Sequence, residues 1–155
     1  MTDKDFLNRA VKLAEEGIIK GSGPFGAVIV RNGKIISEAV NEVIIVKDPT
    51  AHAEITAIRQ ASKVLDSHDL SQCVLYSSCE PCPMCLGAIY WSGIKTVFFA
   101  ADRKDATAAG FSDKYIYDEI NILPEHRHIK FHRLTEVDGI GVFRAWTRFE
   151  NKIPY

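Results

Sequence analysis

His52-Ala53-Glu54 sets an imidazole two residues from a carboxylate, and Pro81-Cys82-Pro83-Met84-Cys85 sets two thiols three residues apart. His52, Cys82 and Cys85 are soft-to-borderline donors suited to zinc. Three protein ligands leave the fourth tetrahedral position open to water, which separates a metal that does chemistry from one that only holds a fold. Zinc in such a site would bring the pKa of its water to about 7, making hydroxide available at neutral pH. Glu54 need not be a ligand. It could take the water proton and pass it to a departing group. A structural site closed by four ligands is the competing reading, with Cys79 of Cys79-Glu80-Pro81-Cys82 as the fourth. Against it, Cys79 falls at the end of an expected strand, where a small buried thiol is common.

The elements around these residues must bring them together. Asp3 to Lys20 repeats apolar residues at helical spacing (Phe6, Leu7, Ala10, Val11, Leu13, Ala14), and Gly21-Ser22-Gly23-Pro24 ends it. Phe25 to Val30 and Lys34 to Asn41 read as two strands joined by an Asn32-Gly33 hairpin turn. A helix is expected from about Ala51 to Leu65, with Thr50 as its N-cap. Cys73 to Ser78 reads as a strand, Pro83 to Trp91 as a helix with proline at its first position, and Thr96 to Ala101 as a strand. A short helix around Asp113 to Ile120, a last strand at Ile129 to Leu134 and a helix from Ile140 to Asn151 complete the chain. Alternating strands and helices predict an α/β domain. His52 and Glu54 then lie in the first turn of one helix, and Cys82 and Cys85 bracket the first turn of another. Two helix N-termini converging on one point favour thiolates and a bound hydroxide.

The bulk properties narrow the setting. A chain of 155 residues suits one domain with a full core, and 46% hydrophobic with 25% charged residues is ordinary for a globular protein. No apolar run is long enough to cross a bilayer, and the charged start leads into no signal-like stretch, so a cytoplasmic location is the expectation. Four cysteines, three of them crowded at Cys79, Cys82 and Cys85, point to metal or catalysis before disulfides. Cys73 reads as core. A net charge of −1 draws no nucleic acid, and six Lys/Arg against three Asp/Glu from His126 to Lys152 read as a solvated face. His126, His128 and His132 lie in that polar stretch, His68 reads as a loop histidine, and Trp91 reads as core.

With these residues placed, the chain resembles the cytidine/deoxycytidylate deaminase superfamily. Gly26-Ala27-Val28-Ile29-Val30, Pro49-Thr50-Ala51-His52-Ala53-Glu54 and Cys79-Glu80-Pro81-Cys82-Pro83-Met84-Cys85 carry the likeness. Within it the bacterial guanine deaminases are most alike, through Gly23-Pro24-Phe25-Gly26, Leu86 to Trp91, Ala109-Gly110-Phe111 with Asp113, and the tail from Ala145-Trp146 to Tyr155. The resemblance implies a cytidine-deaminase-like three-layer α/β/α fold around a mixed sheet of about five strands. It implies one zinc per subunit on His52, Cys82 and Cys85, with Glu54 as proton shuttle. It implies a purine site in which Asn41 meets the base, Phe25 packs on its face and Asp113 accepts from its N–H groups. It implies a homodimer of single-domain subunits whose C-terminal helix and tail, about residues 139–155, swap to the partner, so that Tyr155 closes the neighbouring pocket. Ile153-Pro154 departs from the more charged residues expected before that tyrosine.

Three functions compete. The first is hydrolytic deamination of a free purine base, guanine to xanthine and ammonia. The second is deamination of guanosine or of adenosine in tRNA on the same scaffold. The third is a zinc-stabilised binding module, which leaves Glu54 unexplained. A tRNA enzyme needs a basic path to its pocket, and the net charge speaks against one.

Overall fold

Thr2 and Asp5 start the first helix by capping each other. The Thr2 hydroxyl accepts from the Asp5 N–H, and the Asp5 carboxylate accepts from the Thr2 N–H at 2.7 Å. Helix α1 then runs Asp3–Ile19 in the computed structural model, which describes residues 1–154. Its buried side chains, Phe6, Ala10, Leu13 and Ala14, lie on one stripe, as their spacing predicts.

Strands β1 (Gly26–Arg31) and β2 (Lys34–Val40) form the expected hairpin. Asn32 and Gly33 adopt φ of 52° and 73°, the two left-handed positions that this tight turn demands. Two more strands follow, β3 (Val74–Cys79) and β4 (Thr96–Ala101). The sheet order is β2-β1-β3-β4, with β1 antiparallel to both neighbours and β3 parallel to β4. The helices after β2 are α2 (Val43–Val46) and α3 (Ala53–Leu65); α4 (Pro83–Trp91) crosses from β3 to β4, and α5 (Arg103–Ala108) follows β4.

Alternation along β1 and β3 sorts the core into two layers. Val28, Val30 and Tyr76 pack with Phe6, Ala10 and Leu13 of α1 on one face. Ala27, Ile29 and Leu75 pack with Ala53, Ala57 and Ala61 of α3 and Ile89 of α4 on the other. Both faces of β1 are covered, which is why it reads as an unbroken apolar run. Gly26 is required where α1 crosses, because a Cβ there would stand 2.3 Å from the Ala10 carbonyl oxygen. This is the α/β/α arrangement that the resemblance implies.

Three details differ from the sequence reading. Helix α3 starts at Ala53 with His52 as its N-cap, not Thr50. The Thr50 N–H and hydroxyl both donate to Asp48 Oδ1, at 2.8 and 2.7 Å, and that turn occupies Thr50 before the helix begins. The described sheet has four strands, not about five, because Ile129–Leu134 joins no ladder. Its apolar-polar alternation suits a strand, yet a strand exists only where a neighbour takes its backbone hydrogen bonds. Trp91, read as core, is 74% exposed at the end of α4.

The chain divides into two compact units, residues 1–113 and residues 114 onward. The second holds α6 (Lys114–Ile120), a helical turn at Pro124–His126 and α7 (Ile140–Arg148). Arg127 Nε donates to the Glu119 and Ile122 carbonyls at 3.0 and 3.2 Å, closing the open end of α6. Asp138 accepts from the Gly141 N–H at 3.0 Å and pairs with Arg144 at 2.7 Å, which starts α7. No described residue after 113 is buried.

Candidate active site

His52 and Cys82 are the N-cap residues of α3 and α4, and neither side chain caps its own helix. Both turn toward each other instead, with Cys82 Sγ 3.5 Å from His52 Nδ1. Forgoing a cap costs about 1 kcal/mol per helix, a cost that a shared ligand would offset. The first turn of α4 adds Cys85, fully buried, with its Sγ 3.6 Å from both Cys82 Sγ and His52 Nδ1. Pro83 begins α4, where its missing N–H costs nothing.

This triangle fits zinc. Tetrahedral bonds of about 2.3 Å to sulfur and 2.0–2.1 Å to nitrogen put ligand atoms about 3.8 Å apart for two sulfurs and about 3.6 Å for sulfur and nitrogen. The separations of 3.6, 3.5 and 3.6 Å in the triangle lie close to those values. Among the described residues, His52, Cys82 and Cys85 form the one group of three or more His, Cys, Asp or Glu side chains able to share a metal ion. Cys79, the rival fourth ligand, stands outside it. Its sulfur lies 3.6 Å from the Asp102 carbonyl, and burial pushes its pKa up to about 11.

The electrostatics favour a cation. Hydrogen bonding from Cys85 and the neighbouring His52 hold the Cys82 thiol at about 4, while its bond to Cys82 and burial push Cys85 up. The Cys82 sulfur in turn raises the basicity of His52. Two thiols and an imidazole at these distances would release protons on binding a divalent ion.

Glu54 lies in the first turn of α3 and is 5% exposed. Burial raises its pKa. The Ser77 hydroxyl donates to its Oε1 at 2.9 Å, and Cys85 Sγ lies 3.4 Å from its Oε2. The carboxylate therefore stands against the metal triangle without belonging to it. The sequence reading passed over Ser77; the available signal was a serine on the apolar-facing alternation of β3.

Phe25 and Asn41 meet at the mouth of the hairpin, where the Asn41 N–H donates to the Phe25 carbonyl at 2.9 Å. Asn41 is buried, and its Oδ1 accepts from the Val43 N–H at 3.2 Å. The Phe25 ring meets Phe111 edge-on, with centroids 5.0 Å apart. Phe111 is two residues from the half-buried Asp113. Tyr155 lies outside the described residues. Cys73 is core, as expected. His126, His128 and His132 are exposed.

Fold and site together define a class: an α/β/α zinc hydrolase domain whose three metal donors sit at two helix N-termini with a buried carboxylate beside them. Residues 1–101 match the family model of the cytidine and deoxycytidylate deaminase zinc-binding region, and the chain belongs to that family. It is 54% identical to the guanine deaminase of Bacillus subtilis over 100% of both chains. The crystal structure of that enzyme superposes with a TM-score of 0.98, covering 100% of this chain and 99% of the other. A guanine deaminase structure from Nitrosomonas europaea shares 34% identity and a TM-score of 0.70, over 72% of this chain and 65% of that one. The tRNA-specific adenosine deaminase of Aquifex aeolicus is 47% identical over 64% of this chain and 66% of its own. The chain is a zinc-dependent aminohydrolase. No helix among the described residues is long and apolar enough to cross a membrane.

Proposed function

We propose that the chain deaminates guanine to xanthine and ammonia. The observation that carries this is the full-length match to the B. subtilis guanine deaminase, which runs through the pocket segments and the tail as well as the metal motifs. The matches to tRNA adenosine deaminases stop short of the full chain, covering 64% of it in one case and 82% in another. Zinc, when bound, supplies a Lewis acid that brings the ionisation of water near neutral pH. His52, Cys82 and Cys85 hold it. Glu54 would carry the first proton of water to a purine ring nitrogen and the second, from the hydroxyl added to the ring carbon, to the departing amine, which leaves as ammonia. The burial of Glu54 keeps those protons from leaking to solvent.

Asn41, Phe25, Asp113 and Tyr155 form the base pocket in this reading. The Val43 N–H donates to Asn41 Oδ1 and orients the amide, whose Nδ2 can donate to a purine acceptor. Asp113 accepts from the N1–H and 2-amino groups that distinguish guanine. A base lacking them would cover this half-buried carboxylate and leave it unpaired, at a cost of about 1–3 kcal/mol. Phe25, held edge-on by Phe111, packs on the ring face.

The functional unit is a single-domain homodimer in the cytoplasm, with residues of about 139–155 swapped so that Tyr155 closes the partner's pocket. Two features support a second copy. Strand β4 ends the sheet without a neighbouring strand among the described residues, and the apolar side chains of α7 lie open. The test is ammonia release by zinc-loaded protein from guanine, guanosine, cytosine, cytidine and adenine. Guanine alone as a fast substrate is the expected result, and preferred turnover of guanosine or any other member of the panel would overturn it.

A further inference from the structure

We propose that Ser77 is a positioning residue, which holds the Glu54 carboxylate in the orientation that proton transfer needs. This rests on the reading of Glu54 as proton carrier.

Ser77 sits on β3 opposite Ala27 of β1, on the face that carries Leu75 and packs against α3. Apolar residues occupy the neighbouring positions of that face, and Ser77 is 1% exposed. A hydroxyl buried there is costly unless it is hydrogen-bonded. The other buried serines satisfy themselves on backbone: Ser37 donates to the Ala57 carbonyl, Ser92 to the Ile89 carbonyl, and Ser78 accepts from the Gly26 N–H. Ser77 instead donates to Glu54 Oε1 at 2.9 Å, a bond from the sheet to the helix that carries the reactive group.

The need for such a bond follows from the side chain. The last torsion of glutamate is broad and roughly two-fold, so packing of the stem alone does not fix which way the carboxylate plane faces. Helix α3 anchors one end of Glu54, and Ser77 anchors one oxygen of the other. The second oxygen, Oε2, is then the one on the Cys85 side. Once Cys85 serves as a metal ligand its sulfur has no proton to give, and Ser77 is the side-chain donor that stays with Glu54. A misplacement of about 1 Å in a transferring group can cost about 100-fold in rate.

The experiment compares Ser77→Ala, Ser77→Thr and Ser77→Val as full-length zinc-loaded proteins, with Glu54→Gln as reference. Readouts are kcat and KM for guanine, zinc per chain and melting temperature. We expect Ser77→Ala to lower kcat by about 10-fold, with KM and zinc content unchanged. Ser77→Thr keeps the hydroxyl and should recover most of the rate, while Ser77→Val, of the same shape without it, should not. That pair decides the matter even if Ser77→Ala fails to fold. Equal kcat for the Thr and Val variants would overturn the proposal, as would a loss that follows zinc content or KM alone. An active Glu54→Gln protein would sink the reading of Glu54 itself. An inactive one beside an unaffected Ser77→Ala would sink only the role of Ser77.

Discussion

Residues 1–113 bury two apolar clusters on either side of a sheet, whereas residues 114–154 bury nothing. The second region is no less apolar in kind. Phe131, Phe143, Trp146 and Phe149 all lie exposed there, Phe143 by 71%. Its order comes from local polar bonds, such as Arg127 on the carbonyls that end α6 and Asp138 at the start of α7. Such bonds contribute about 1 kcal/mol each and do not replace a core. A segment that keeps large aromatics at helical spacing without covering them is suited to an external cover. The first region can hold a rigid site because its side chains are locked. The second holds its helices by local bonds and leaves its aromatics uncovered.

The rigidity of the first region depends most on its metal. Stripping zinc with a chelator should abolish ammonia release and lower the melting temperature, and adding zinc back should restore both. Zinc at a hundredfold above its dissociation constant contributes about 2.7 kcal/mol to folding. A melting temperature that ignores the chelator would show that the two helix N-termini hold together without a metal.

Next in size is Glu54→Gln. Activity should fall by about 10³-fold while zinc stays at one per chain, measured by ammonia release and metal analysis. Retained turnover would remove the carboxylate from the chemistry.

On the second region, the proposed dimer predicts that Phe143→Ser with Trp146→Ser sediments as a monomer, with residues 1–113 still folded by circular dichroism. A variant that stays dimeric would place the contact elsewhere. Deleting Ile153-Pro154-Tyr155 should cut kcat/KM for guanine about 10-fold or more and move the melting temperature by less than about 2 °C. An unchanged kcat/KM would remove the tail from the pocket.

The smallest effect belongs to Glu38. Arg9 grips it with two hydrogen bonds, at 2.8 and 2.9 Å, tying α1 to β2. That bonding holds the Glu38 carboxyl below its ordinary value of 4.5. The folded state therefore binds the proton less readily than the unfolded chain. The contribution is present above that ordinary value and lost as pH falls through the lowered one. Glu38→Gln should cost about 0.5–1 kcal/mol at pH 7 in denaturant melts, and the gap from wild type should narrow in acid. A gap that is constant with pH would mean packing, not charge, is at work.

Much of the first region was readable from residue order. The Asn32-Gly33 turn, the bounds of α4 and β4 and the buried stripe of α1 follow from turn chemistry and periodicity, which are local. The start of α3 was misread because Asp48 claims Thr50, a competition between two local bonds that residue types alone do not rank. Trp91 and residues 129–134 were misread for a different reason. Whether an apolar side chain is covered, or an alternating run becomes a strand, depends on what stands beside it.

The same division holds for the site. Residue types alone specify the donor set, because His52, Cys82 and Cys85 with a spare Glu54 are chemically suited to an open zinc site wherever they meet. That they do meet, with ligand atoms 3.5–3.6 Å apart, was decided by two helices starting side by side over one sheet face. Ser77 became part of the site only through folding. Its hydroxyl reaches Glu54 across 23 positions of chain, a proximity that no spacing rule encodes and that strand-to-helix packing alone creates.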